Sequence, residues 1–109
     1  MNYIVPLFVS FSLITEIMTF ILNPGIIYSD SKCKEKIYCE DCKFFYPKSN
    51  QQMEHCYTCN ICVCKFDHHC DVIGKCIGKY NITFFFLFVL STFSFIIGFS
   101  AVLFHLQNL

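Results

Sequence analysis

Charge is scarce at both ends of this 109-residue chain. Residues 3–22 carry one charged side chain, Glu16, and residues 82–106 carry no Asp, Glu, Lys or Arg. Neither stretch reads as part of a soluble domain, because twenty apolar residues are what a bilayer core requires. The opening Met1-Asn2-Tyr3 lacks the basic cluster of a secretory signal peptide, so the first block is expected to be a span rather than a processed leader. The formal net charge is zero, which gives no ground for a nucleic-acid partner. Tryptophan is absent. The polar segment of about fifty residues between the two blocks has no sustained helical or alternating pattern and few aliphatic side chains. It cannot bury a conventional core and needs other staples.

What is present is concentrated. Hydrophobic residues make up 55% and aromatics 18%, above ordinary globular usage, and the excess lies in the two end blocks. All eight lysines and seven of the eight acidic residues fall between them. The fold class expected is therefore a membrane protein: two transmembrane α-helices flanking a small, irregular, short-hairpin cysteine-rich domain. The expected divisions are 1–29, 30–81 and 82–109. The positive-inside rule puts the lysine-bearing loop in the cytoplasm and both termini on the far side.

The first span reads IVPLFVSFSLITEIMTFIL, with Pro6 in the opening turns where a missing amide donor costs little. Glu16 lies near the helix end, within reach of headgroup water or a proton, and an intramembrane carboxylate is also a functional candidate by default. Asn23-Pro24-Gly25 ends the helix, and Lys32, Lys34 and Lys36 follow as a basic strip beside the headgroups. In the second span Asn81 is placed to cap the first turn. Ser91, Ser94, Gly98 and Ala101 line one face, which is expected to receive another helix or, on the sharper reading, an acyl chain.

Nine cysteines could mean a secreted disulfide framework. The number is odd, the cysteines alternate with histidines at ligand spacing, and the cytosol is reducing, so thiolates on zinc are favoured. Between residues 39 and 76 lie eight cysteines and three histidines. Two four-coordinate zinc sites use eight ligands, and spacing does not say which three remain, since Cys64, Cys70 and either of His68 and His69 could be in or out. Asp67-His68-His69-Cys70 also contains the parts of an activated nucleophile: an acid to fix an imidazole, an imidazole to take a proton, a thiol to attack.

The order Cys39-x2-Cys42, His55-Cys56-x2-Cys59-x2-Cys62, Asp67-His68-His69-Cys70, Cys76 and Asn81 resembles the cysteine-rich domain of the DHHC protein S-acyltransferases, or palmitoyltransferases. That resemblance implies one zinc on Cys39, Cys42, His55 and Cys62, and a second on Cys56, Cys59, His69 and Cys76. It implies Cys70 as the acylated nucleophile, His68 as its base and Asp67 as the orienter. The co-substrate implied is palmitoyl-CoA or a related acyl-CoA, and the acceptors are cysteines of substrate proteins. The setting implied is an endomembrane (ER or Golgi) or the plasma membrane. Cys33 and Cys64 have no family role. Phe93 or Phe95, the latter about 21 Å along the helix from Asn81, is expected to form part of the floor of an acyl slot.

Departures from the pattern are visible. Asp71-Val72 stands where the family has Pro-Trp, the stretch from Cys42 to His55 is long, and Tyr46-Pro47-Lys48 replaces a more basic run. Two spans stand where the family has four or more. The readings are a fragment, a reduced relative acting as an inactive membrane-anchored zinc-binding module, or a piece that assembles with other membrane helices.

Overall fold

The computed structural model describes residues 3–27, 35–48 and 52–109. Cys33, Lys32 and Lys34 lie outside the described residues. Two helices, α1 (Ile4–Ile21, 18 residues) and α2 (Ile82–Gln107, 26 residues), enclose three two-stranded antiparallel hairpins. Both helices are long and apolar enough to cross a membrane. The buried hydroxyls are satisfied within their own helix: Thr15 Oγ1 donates to the carbonyls of Phe11 and Ser12, Thr19 Oγ1 to that of Thr15, and Ser91 Oγ to that of Phe88. Hydroxyls folded back in this way cost little in hydrocarbon.

The helices pack on one another through these small residues. Thr15, Thr19 and Ser91 are buried, and Ser12 Oγ and Thr92 Oγ1 are 3.1 Å apart across the seam. Toward the start of α1 and the end of α2 the seam opens into a cleft of about 530 Å³ lined by Ile4, Val5, Phe8, Ser94, Phe95, Gly98, Phe99 and Val102. The neighbour expected on the small-residue face is thus α1, opposite Ser94 and Gly98. Phe95 lines the cleft, Phe93 does not, and Ala101 is exposed.

The hairpins are β1–β2 (Lys36–Cys39, Phe44–Pro47), β3–β4 (Met53–Cys56, Ile61–Cys64) and β5–β6 (His68–Cys70, Lys75–Ile77). Each four-residue turn ends in a left-handed residue: Lys43 at φ 57°, Asn60 at φ 56° and Gly74 at φ 70°. The buried cluster they share is small: Cys56, Val63 and Cys76, with Cys59, Ile61 and Phe66 packed against it. As the segment's composition requires, there is no extended hydrophobic core among the described residues.

The exit from α1 is built into this structure. Asn23 Oδ1 accepts from the amides of Gly25 and Ile26, both at 2.8 Å, and Gly25 turns with φ +111°. The chain then runs along β4: Cys64 N donates to Gly25 O at 2.8 Å, Ile27 N to Cys62 O at 3.1 Å, and Lys79 N to Cys64 O at 3.0 Å. Gly78 lies where these strands meet. A Cβ there would sit 2.5 Å from Pro24 O and 2.6 Å from Val63 Cγ1. Gly78→Ala is therefore expected to destabilise the fold by on the order of 3 kcal/mol, read as a lowered denaturation midpoint of the zinc-loaded protein. Gly98→Ala, which meets nothing within 4 Å, should leave that midpoint unchanged.

Asn81 corrects one expectation. It is the N-cap residue of α2, but its side chain makes no cap hydrogen bond. The amide is fully buried, and its partners lie behind it: Oδ1 accepts from Gly78 N at 2.8 Å, and Nδ2 donates to Cys76 O at 3.0 Å and Thr19 O at 3.3 Å. A buried amide takes every partner it can reach, and here these join α1, β6 and α2 at one point.

Candidate active site and metal centres

A strand has a period of two, so adjacent residues point to opposite faces. In β3 this separates His55 from Cys56. His55 is in register with Cys62, and the pair meets Cys39 and Cys42 from the first hairpin. Cys56, on the other face, joins Cys59 of its own turn, and these meet His69 and Cys76, which are in register across the third hairpin. Each cluster thus combines the turn cysteines of one hairpin with a cross-strand His/Cys pair of the next.

Both donor sets have the geometry of a metal centre, their donor atoms lying within 4.8 Å of one another. In the first, Cys42 Sγ is 3.1 Å from His55 Nδ1 and 3.4 Å from Cys62 Sγ, and Cys62 Sγ is 3.3 Å from Cys39 Sγ. In the second, Cys59 Sγ is 3.3 Å from His69 Nδ1 and 3.4 Å from Cys76 Sγ. Zinc with bonds of about 2.3 Å to sulfur draws its ligands to comparable spacings. The two clusters that could hold metal fit a zinc-binding domain.

Donor chemistry agrees with the geometry. The amide of Cys42 donates to Cys39 Sγ, and that of Cys59 to Cys56 Sγ, both at 3.4 Å. The Cys42 amide is the main cause of a Cys39 pKa lowered to about 7. Burial raises Cys56, but the Cys59 amide and the Cys76 thiol outweigh it and bring that pKa also to about 7. Cys62 and Cys76 are pushed far up, first by burial and then by neighbouring thiols. Metal binding must therefore displace protons, and affinity falls as pH falls. Behind the histidines, Asp71 Oδ1 is 3.6 Å from His69 Nε2 and the Tyr57 ring meets His55 edge-on at 4.9 Å.

The same alternation that turns His69 toward the second cluster puts its neighbours on the opposite face of β5. His68 and Cys70 share that face by period. His68 Nδ1 is 2.7 Å from Asp67 Oδ2, and the Phe85 ring of α2 packs against the imidazole with centroids 4.9 Å apart. An ionised carboxylate only accepts, so Nδ1 carries the proton and Nε2 is the basic nitrogen. Asp67 N donates to Ile77 O at 2.9 Å, which fixes the carboxylate's backbone. Cys70 ends the strand, half-buried, before the turn in which Val72 is 87% exposed.

The structure adds two side chains that sequence reading passed over. Lys75 Nζ donates to the carbonyls of Phe20 at 2.5 Å and Leu22 at 2.7 Å, and lies 5.9 Å from the Phe20 ring centre. A cation on the last carbonyls of a helix complements its dipole, and burial holds this ammonium below the ordinary lysine pKa. Phe85 is the other. Both pairs join residues far apart in sequence, and no local pattern announces them. Glu16 lines a cleft of about 400 Å³ with Ile17, Phe20, Val72 and Ile73, so it faces the third hairpin's tip.

Comparison with known proteins agrees with this arrangement. The chain is 49% identical over 55 residues to the probable protein S-acyltransferase 7 of Arabidopsis thaliana, covering 50% of this chain and 12% of that protein. It is 48% identical over 54 residues to human palmitoyltransferase ZDHHC9, covering 50% and 14%, and to zebrafish (Danio rerio) palmitoyltransferase ZDHHC14, covering 50% and 10%. The aligned part is thus a small fraction of each relative. The DHHC palmitoyltransferase family profile matches residues 32–108. That match runs from the approach to the first hairpin to the end of α2, and the chain belongs to the DHHC palmitoyltransferase family.

Proposed function

We propose that this chain carries the catalytic centre of a protein-cysteine S-acyltransferase, with Cys70 as nucleophile, His68 as general base and Asp67 as its orienter. The observation that carries the reading is the Asp67–His68 pair at 2.7 Å on the strand face of Cys70, opposite His69 of the second cluster. In the first half-reaction, Nε2 of His68 takes the Cys70 proton. The thiolate attacks the acyl-CoA carbonyl, the bond to the CoA sulfur breaks, and the departing CoA thiolate recovers the proton. In the second, a substrate cysteine gives its proton to His68 and attacks the Cys70 thioester, and the Cys70 sulfur leaves and is reprotonated. The eight ligands would hold two zinc ions, whose role is to fix the hairpins. No step of the chemistry passes through them.

The cysteine-rich unit, residues 30–81, would face the cytosol of an endomembrane or plasma membrane. The apolar cleft between α1 and α2, with Phe95 on its wall, would take part of the acyl chain. Its other walls would come from further membrane helices.

Zinc-loaded protein in lipid nanodiscs is incubated with clickable palmitoyl-CoA. Hydroxylamine-sensitive labelling that is lost in Cys70→Ser and kept in Cys64→Ser is the expected result. A well-folded protein that takes no label would instead be a membrane-anchored zinc module.

A further inference from the structure

The three hairpins repeat one another, and the third repeat is incomplete. Cys39, Cys56 and Cys70 each end a first strand, each is followed by a four-residue turn, and each turn closes on a left-handed residue four positions on. The register agrees, with Cys56 opposite Ile61 and Cys70 opposite Lys75, five positions later in both. The backbone agrees too: Lys43 N donates to Cys39 O at 2.9 Å, and Gly74 N to Cys70 O at 2.7 Å. Read at an offset of fourteen residues, His55-Cys56-x2-Cys59-x2-Cys62 matches His69-Cys70-x2-Ile73-x2-Cys76. One ligand position differs. Where the first two turns present Cys42 and Cys59, the third presents Ile73, 8% exposed.

We infer that the Cys70 hairpin is a zinc knuckle from which the second thiol is withheld, and that Ile73 keeps Cys70 out of metal coordination. In the first two hairpins the pair three residues apart supplies two thiolates to one ion. The third turn has the same shape, so Cys70 sits where a ligand would sit. Its specificity as a nucleophile then depends on a branched alkyl group that offers no donor at the turn position where the other two hairpins carry one. The significance of a free Cys70 rests on the acyl-transfer reading above, but the metal selectivity does not.

The test uses the whole chain in detergent, loaded with two zinc ions and exposed to excess Cd²⁺ as the probe. Wild-type protein is expected to take up no third ion, and Cys70 to react with N-ethylmaleimide at the same rate with and without cadmium. Ile73→Cys is expected to bind a third, more easily chelated ion and to slow Cys70 alkylation about tenfold or more while it is bound. Ile73→Ser, similar in size but without the thiol, should behave as wild type. A third ion protecting Cys70 in the wild type overturns the inference without any variant. So does Ile73→Cys that holds its two structural ions and gains none. Acyl labelling is measured in parallel: an unlabelled wild type with a third-ion site in Ile73→Cys would sink the enzyme reading and leave this one standing.

Discussion

Cys76→Ala is expected to hold one zinc ion per chain against an expected two in the wild type, and to release the third hairpin to protease. Cys76 is buried and supplies one sulfur of the second cluster. It also belongs to the small apolar cluster with Cys56 and Val63, so metal and packing are lost together. A structural zinc contributes on the order of 10 kcal/mol to folding, comparable with the whole stability of a small domain. The apolar cluster among the described residues, Cys56, Val63 and Cys76, is too small to replace it. Cys70→Ala, one strand away, should keep both ions. Metal content by mass spectrometry decides the matter. Two ions in Cys76→Ala, or one in Cys70→Ala, would overturn the ligand assignment.

Asp67→Asn is expected to lower the rate of thioester formation at neutral pH by about 10²–10⁴-fold with zinc content unchanged. On the proposed activity the carboxylate, which only accepts, commits the Nδ1 proton and leaves Nε2 to receive the thiol's. An amide in the same place can turn its NH₂ toward Nδ1 and stabilise the other tautomer, whose Nε2 is already protonated. His68→Gln should fall in the same range, because it removes the proposed base itself. Single-turnover acylation, with metal content as the folding control, is the measurement. Rates within a few-fold of wild type in both variants would exclude the pair as the catalytic base.

Much of this could be read from the residues. The two apolar blocks and the Asn-Pro-Gly stop mark helices close to those observed, and the CxxC pairs announce short hairpins without their bounds, because each is set by local chemistry. The sorting of eleven candidate ligands was different. Spacing left His68 and His69 equivalent, and the resemblance separated them; in the structure the separation is strand alternation, since only His69 is in register with Cys76. The fourteen-residue repeat was in the sequence, and Ile73 stood in it as the odd residue. What could not be read was long-range. Lys75 on the end of α1, Phe85 on His68 and Asn81 reaching back to Thr19 depend on how α1 and α2 meet, and nothing local encodes that. Asn81 holds the N-cap position as expected, but its side chain serves elsewhere for the same reason: a cap is the local use of an asparagine, and a fully buried one is claimed by whatever backbone groups surround it.

The backbone of Cys64, whose side chain has no assigned role, fixes a vertical coordinate. Its amide is tied to Gly25, just past the first helix, and its carbonyl to Lys79, just before the second. The cysteine-rich ribbon is therefore not a tethered head free to swing above the bilayer. It is a rung between two uprights, and Cys70, carried on its third hairpin, rides at one height. On the proposed activity, an acceptor cysteine must come to that height. Acceptors would then be chosen by how near the lipid their thiol can be brought, and the amino acids around it would matter chiefly by bringing it there.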